Sequence, residues 1–145
     1  MGLTDRIGPG RVAVDTAIFI YFIERHPQFS SDVAPLFQEA DAGRRELVTS
    51  SLTLLELLVV PYRTGDRRLA ERYEALLTRS RGVTLVDFTR DHFKAAAHLR
   101  ATTTVRTPDA LQLAVALTGR CAAFVTNDRR LPAVPNLRII DLTSG

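Results

Sequence analysis

Four carboxylates stand apart from the other acids of the chain by where they fall. Asp15 ends the short β-branched block Arg11-Val-Ala-Val-Asp15, and Asp128 closes Phe124-Val-Thr-Asn-Asp128. Asp109 follows Thr107-Pro108 at the start of an apolar helical stretch, and Glu56 is the only ionisable residue within the greasy segment Leu52 to Val60. If these side chains meet, their charges repel, and they protonate or splay unless a cation neutralises them. Carboxylate oxygens are hard donors, so the cation that fits is Mg²⁺ or Mn²⁺. Such an ion lowers the pKa of a bound water and stabilises the charge that builds on a phosphodiester as it is cut. Each acid also has a plainer reading: Asp109 as a partner of a helix dipole, Glu56 on a polar stripe with Thr53 and Arg63, Asp15 and Asp128 as loop residues. Asp87 and Asp141 follow apolar runs as well, so strand-end position alone does not single out a site.

The elements that must position these acids alternate. Arg11 to Asp15 predicts a strand, and Ala17 to Ile23 a helix. Ser31 to Ala42 predicts a second helix stopped by Gly43, Glu46 to Thr49 a second strand, and Leu52 to about Tyr62 a helix capped by Ser50 or Ser51. That helix is apolar almost all round and is expected to be packed on several sides. Asp66 to Arg79 reads as an amphipathic helix, Val83 to Val86 as a third strand, and Thr89 as the cap of the next helix. Thr107-Pro108-Asp109 opens another helix, which Gly119 closes; Cys121 to Val125 and Leu137 to Ile140 supply the last strands. Strands separated by helices argue for an α/β fold with a parallel sheet covered on both faces, whose ligands gather beyond the carboxyl ends of the strands. Asp15 and Asp128 fall there.

Composition sets the outer limits. With 145 residues, 46% apolar and 24% charged, the chain fits one globular domain. No apolar run approaches the roughly 20 residues of a membrane helix, and the N-terminus lacks the pattern of an export signal, so a cytoplasmic protein is expected. Cys121 reads as a buried thiol, and the scattered His26, His92 and His98 give no zinc geometry. The net charge of +3 is carried almost wholly by arginine, with Lys94 the lone lysine. Guanidinium suits phosphate, although a G- and C-rich genome produces the same bias. Arg106, Arg129 and Arg130 flank the acids and are candidate phosphate contacts, or else ordinary solvated arginines. Tyr21, Phe22 and Phe29 read as core or subunit contacts.

Val14-Asp15-Thr16, the isolated Glu56, Arg106-Thr-Pro-Asp109-Ala-Leu-Gln-Leu-Ala114 and Val125-Thr-Asn-Asp128-Arg-Arg-Leu131 occur in the order found in PIN-domain nucleases, and together they resemble the VapC toxins of bacterial toxin–antitoxin pairs. The resemblance runs from about Arg11 to Ile140. It implies a Rossmann-like five-stranded parallel sheet, dependence on Mg²⁺ or Mn²⁺, endonucleolytic cleavage of RNA and inhibition by a VapB-like antitoxin. It makes Asp15, Glu56, Asp109 and Asp128 an acidic quartet, with Asp15 and Asp109 as direct metal ligands. Thr16 and Thr126 become supporting hydroxyls and Asn127 a neighbouring contact. It also implies a homodimer and an antitoxin groove, for which the helices Ile18 to Ile23 and Leu54 to Tyr62 are candidates. The segment Gly2 to Gly10 lies ahead of the resemblance and carries no reading.

Other doubly wound domains fit less well. A phosphatase of the haloacid dehalogenase type wants an acid where Ala17 stands, a receiver domain wants an acidic pair and a late lysine, and Gly8-Pro-Gly10 lacks the rest of a phosphate loop. The remaining rival is a non-catalytic PIN module that binds RNA or a partner protein.

Overall fold

The computed structural model describes residues 2–143. Five parallel strands form one sheet in the order β3-β2-β1-β4-β5: β1 Val12–Val14, β2 Leu47–Ser50, β3 Val83–Val86, β4 Ala123–Thr126 and β5 Arg138–Asp141. Period-two alternation sorts the strand residues between two cores. Val12, Val14, Leu47, Ala123, Val125 and Ile140 face one, with side chains of α2 (Thr16–Ile23), α3 (Ser30–Asp41) and α5 (Arg67–Arg79). Ala13, Val48 and Phe124 face the other, against α6 (Arg90–Thr102) and α7 (Thr107–Thr118). The expected α/β sheet, covered on both faces, is what forms.

The order of strands creates a switch point. The chain moves outward from β1 through β2 to β3, then returns to place β4 on the other side of β1. A crevice therefore opens beyond the carboxyl ends of β1 and β4, the usual ligand position of such sheets. The Asp15 amide donates to Val125 O at 2.9 Å, which carries the β1–β4 ladder up to the residue that lines the crevice.

One segment without a reading gains a structure, and two local expectations are corrected. The segment ahead of β1 contains a short helix, α1 (Leu3–Ile7), whose Leu3 and Ile7 are buried in the first core. Two apolar residues in so short a helix give little periodicity to read, and the segment is held by distant arginines. Arg45 donates to Gly8 O and Gly10 O, both at 2.8 Å, while Arg138 donates to Ile7 O at 2.9 Å and Arg6 O at 2.6 Å. The helix α4 (Ser51–Thr64) is not packed all round. Thr53, Leu57 and Pro61 are buried along one stripe, while Leu55, Val59, Val60 and Tyr62 stand 41–67% exposed. Finally, Ser50 precedes α4 but its side chain makes no cap bond. Its hydroxyl donates instead to Gln112 Oε1 at 2.8 Å.

Cys121 is buried, as its surroundings in the sequence suggest, and burial pushes its thiol up to about 11. Among the described residues no helix is long and apolar enough to cross a membrane.

Candidate active site at the carboxyl ends of β1 and β4

Asp15 is the N-cap of α2, in extended conformation between strand and helix. Its Oδ1 accepts from the Thr16 amide at 2.8 Å, and its Oδ2 accepts from Thr126 Oγ1 at 2.8 Å. The Thr126 hydroxyl in turn accepts from the Asp128 amide at 3.0 Å. One buried hydroxyl at the end of β4 thus fixes both the Asp15 carboxylate and the turn that carries Asp128. Burial raises Asp15 above the ordinary carboxylate range; the bonds from Thr126 and Thr16 oppose that shift, and the charges of Glu56 and Asp128 add to it.

Asp109 lies in the first turn of α7, beyond the buried stretch Ala110 to Ala116 that anchors the helix. Its carboxyl is also raised, by burial first and then by the charges of Asp15 and Asp128, with Arg130 and Arg106 opposing. Asp128 goes the other way. The Arg130 amide and guanidinium donate to its Oδ1 at 2.9 and 3.1 Å, and these bonds hold it below the usual value. Carboxylates in one neighbourhood are therefore pushed apart in acidity, the ordinary result of crowding like charges in partly dry surroundings.

Glu56 enters from α4. The Thr16 hydroxyl donates to its Oε1 at 2.6 Å. An ionised carboxylate can only accept, so Thr16 spends its proton there and Thr53, 3.0 Å away, must donate to Thr16. Thr49 donates to Thr53 at 2.8 Å, and Gln112 Nε2 does so at 2.7 Å. A directional chain of hydroxyls thus runs from β2 through α4 to Glu56, braced from α7 by one amide. Thr49, Ser50, Thr53 and Gln112 are all buried. From the sequence Ser50 reads only as a cap and Thr53 only as part of a polar stripe, and Thr49 and Gln112 carry no site reading. The available signal was Gln112 itself, a lone amide in the apolar run Ala110 to Leu117.

Two cavities meet at Asp128. One of about 480 Å³ is lined by Asp15, Tyr21, Asn127, Asp128, Arg129 and Arg130. The other, about 400 Å³, is lined by Asp109, Arg106, Asp128 and Arg130 among others. Tyr21, expected in the core or a subunit contact, lines the first, with its ring against His26 and Phe29 at centroid distances of 4.8 and 5.0 Å. Asn127 Nδ2 donates to the Tyr21 hydroxyl at 2.8 Å, while its buried Oδ1 has no partner. Phe29 is buried, and Phe22 stacks on Phe37 at 4.0 Å.

The structure brings Asp15 and Asp128 to one cavity and Asp109 and Asp128 to the next, while Glu56 reaches the group through Thr16. Arg130 sits on Asp128, and Arg129 turns to the end of β5, 3.5 Å from Asp141 Oδ2 and bonded to Thr143. Arg106 lines the Asp109 cavity. Among the described residues no three His, Cys, Asp or Glu side chains are gathered closely enough to hold a metal as they stand. The donors are nevertheless of one chemical kind. All are carboxylate oxygens, and two of them are disfavoured as anions by burial and by each other. That set suits a hard divalent cation rather than zinc.

A family model described as the PIN domain matches residues 12–137. The chain belongs to the PIN domain family. Its fold is also that of solved toxin–antitoxin proteins. One is a toxin–antitoxin complex from Klebsiella pneumoniae, with TM-score 0.66 and 17% identity, covering 87% of this chain and 94% of that one. VapBC2 from Rickettsia felis, bound to a DNA fragment from its promoter, gives 0.65 and 22% over 90% and 98%. VapC20 of Mycobacterium tuberculosis, a sarcin–ricin loop cleaving toxin, gives 0.66 and 18% over 82% and 91%. At such identities these are likenesses of fold. No curated protein matches the chain in sequence. In this PIN domain Asp15 and Asp128 follow β1 and β4 at the switch point of the sheet, while Glu56 and Asp109 come from α4 and α7.

Proposed function

We propose that this PIN domain protein is a divalent-metal-dependent endoribonuclease acting in the cytoplasm as the toxin of a toxin–antitoxin pair. The observation that carries the reading is Asp15, a half-buried carboxylate at the end of β1 whose charge is opposed by Glu56 and Asp128. A site that crowds anions in this way is stabilised by a bound cation. Asp15 and Asp109 are the direct ligands in this reading, with Asp128 and Glu56 completing the set. Mg²⁺ or Mn²⁺ supplies Lewis acidity toward water and phosphate. The chain supplies the rest. Thr126 and the Thr16 amide aim the Asp15 carboxylate, the hydroxyl chain through Thr53 holds Glu56, and Arg106 and Arg130 stand where guanidinium can grip phosphates beside the cut. Asn127 and Tyr21 form the opposite wall.

The exposed apolar stripe of α4 is assigned to protein contacts. Leu55, Val59 and Tyr62 are open to solvent, whereas Ile18 and Phe19 of α2 are consumed by the chain's own core. A homodimer or a VapB-like antitoxin covers the α4 stripe in this reading, as exposed apolar patches commonly mark partner sites.

A second reading, a PIN module that binds RNA or a partner without cutting, draws on the absence of a close three-carboxylate group among the described residues. Incubation of antitoxin-free protein with total cellular RNA separates the two. Discrete fragments that need Mg²⁺ or Mn²⁺ and vanish with EDTA and in Asp109→Asn support the nuclease. Intact RNA with every metal, from protein shown to be folded, decides for the binding module.

A further inference from the structure

A third cavity, of about 650 Å³, adjoins Asp128. Its lining mixes apolar Leu131, Pro132, Val134 and Ile139 with polar Arg129, Asp141 and Thr143. Asp128 and Arg129 are the shared wall between it and the Asp15 cavity. Its polar side is organised: Asp141 Oδ1 accepts from the Thr143 amide and hydroxyl, both at 2.9 Å, and Arg129 lies against the same carboxylate. The space falls in the range of roughly 300–1,000 Å³ found for small-ligand pockets.

We infer that this cavity receives an unpaired nucleobase of the RNA strand whose phosphodiester lies across Asp15 and Asp128; the inference rests on the nuclease reading for its substrate class. A nucleobase has apolar faces and a polar edge that both donates and accepts hydrogen bonds. The cavity answers with apolar side chains and, beside them, the guanidinium of Arg129. Continuity decides the occupant, because the wall shared with the acid cleft ends at Arg129, where the backbone phosphate of a strand leaving the cleft meets a positive charge. Proteins that read RNA sequence commonly do so on unstacked bases splayed out of single strands.

The test separates base recognition from cleavage by measuring binding in EDTA, where no strand is cut. Two fluorescein-labelled polymers of about 12 nucleotides are compared, an unstructured mixed-sequence RNA and an abasic ribose-phosphate chain of equal charge. Wild-type protein is expected to bind the RNA about tenfold more tightly, equivalent to about 1.4 kcal/mol. Ala133→Trp fills the cavity from an exposed residue on its lining and should reduce that preference to about twofold, leaving the abasic chain bound as before. Ala133→Leu, a smaller filler, serves if the tryptophan variant fails to fold. Equal binding of both polymers by wild type overturns the inference and leaves the cavity to a protein side chain. A full preference retained in the folded variants overturns it too, placing base recognition elsewhere. Failure of RNA cleavage with the preference intact would instead sink the nuclease reading and keep the pocket.

Discussion

The two ends of the sheet handle charge in opposite ways. Beneath the amino ends of the strands, Arg45 is nearly buried, pairs with Glu39 at 2.7 Å and donates to two backbone carbonyls. Arg138, at the amino end of β5, likewise donates to two carbonyls of α1. The charges of Arg45, Glu39 and Arg138 thus have opposite or dipolar partners. At the carboxyl ends, Asp15 and Asp109 are partly buried among like charges, and their acidities are pushed up. One end is built to hold together and the other is held in tension, which the rest of the fold supports. The contrast teaches where to look for a ligand: at the end where partly buried carboxylates raise one another's pKa.

The largest expected effect breaks the acid end. Asp15→Asn and Asp109→Asn should each lower RNA cleavage by at least about a hundredfold while far-UV circular dichroism stays unchanged. Unchanged rates in both variants would remove the proposed site. Next comes the opposite end. Arg45→Met leaves Glu39 and two carbonyls unpaired and should cost about 2–4 kcal/mol in urea unfolding, with cleavage per folded molecule retained. If activity falls along with stability, the two ends are coupled rather than separate.

Gln112→Leu sits between these cases, removing the brace under Glu56, taking the acceptor from the Ser50 hydroxyl and one donor from Thr53. A loss of about 1–3 kcal/mol is expected, measured by the same unfolding curves. A smaller effect, of opposite sign, sharpens the comparison. An acid whose folded pKa is raised destabilises the fold above its unfolded value, so metal-free Asp109→Asn should melt higher than wild type at neutral pH. The advantage should shrink as the pH falls through the raised folded value and vanish below the unfolded value of about 3.9, where the wild-type carboxyl is protonated in both states. A gap independent of pH would show that charge crowding is not its cause. Smallest of all, Leu55→Ser and Tyr62→Ser should shift monomer stability by no more than about 0.5 kcal/mol, because both side chains are already in solvent. A large loss in dilute protein would mean that a second copy covers α4 even there.

Much of the acid site was legible before the fold was known. Asp15 and Asp128 could be placed from the strand-end rule, since each follows a β-branched apolar run, and Thr126 fell in the same motif. The hydroxyl chain beneath Glu56 was not legible, because Thr49, Thr53 and Gln112 come from three elements and only their packing makes them neighbours. The capping rule put Ser50 at the N-cap but misplaced its side-chain bond, for a related reason. A buried amide left without a partner costs more than a helix end that other groups can satisfy, so the hydroxyl goes to Gln112. Periodicity also overstated the packing of α4. It reports which residues are apolar, and whether a neighbouring element reaches them is decided elsewhere in the chain.

What the residue order determined by itself is the alternation of strands and helices and the acids at two strand ends, because hydrophobic period, caps and strand-end position are local properties. Only the tertiary structure decided that α1 joins the core, that α4 keeps an apolar face open, that Gln112 braces Glu56 and that a third cavity adjoins Asp128. Each of those depends on side chains far apart in the chain, whose meeting is set by the strand order β3-β2-β1-β4-β5 and the packing of helices on its two faces.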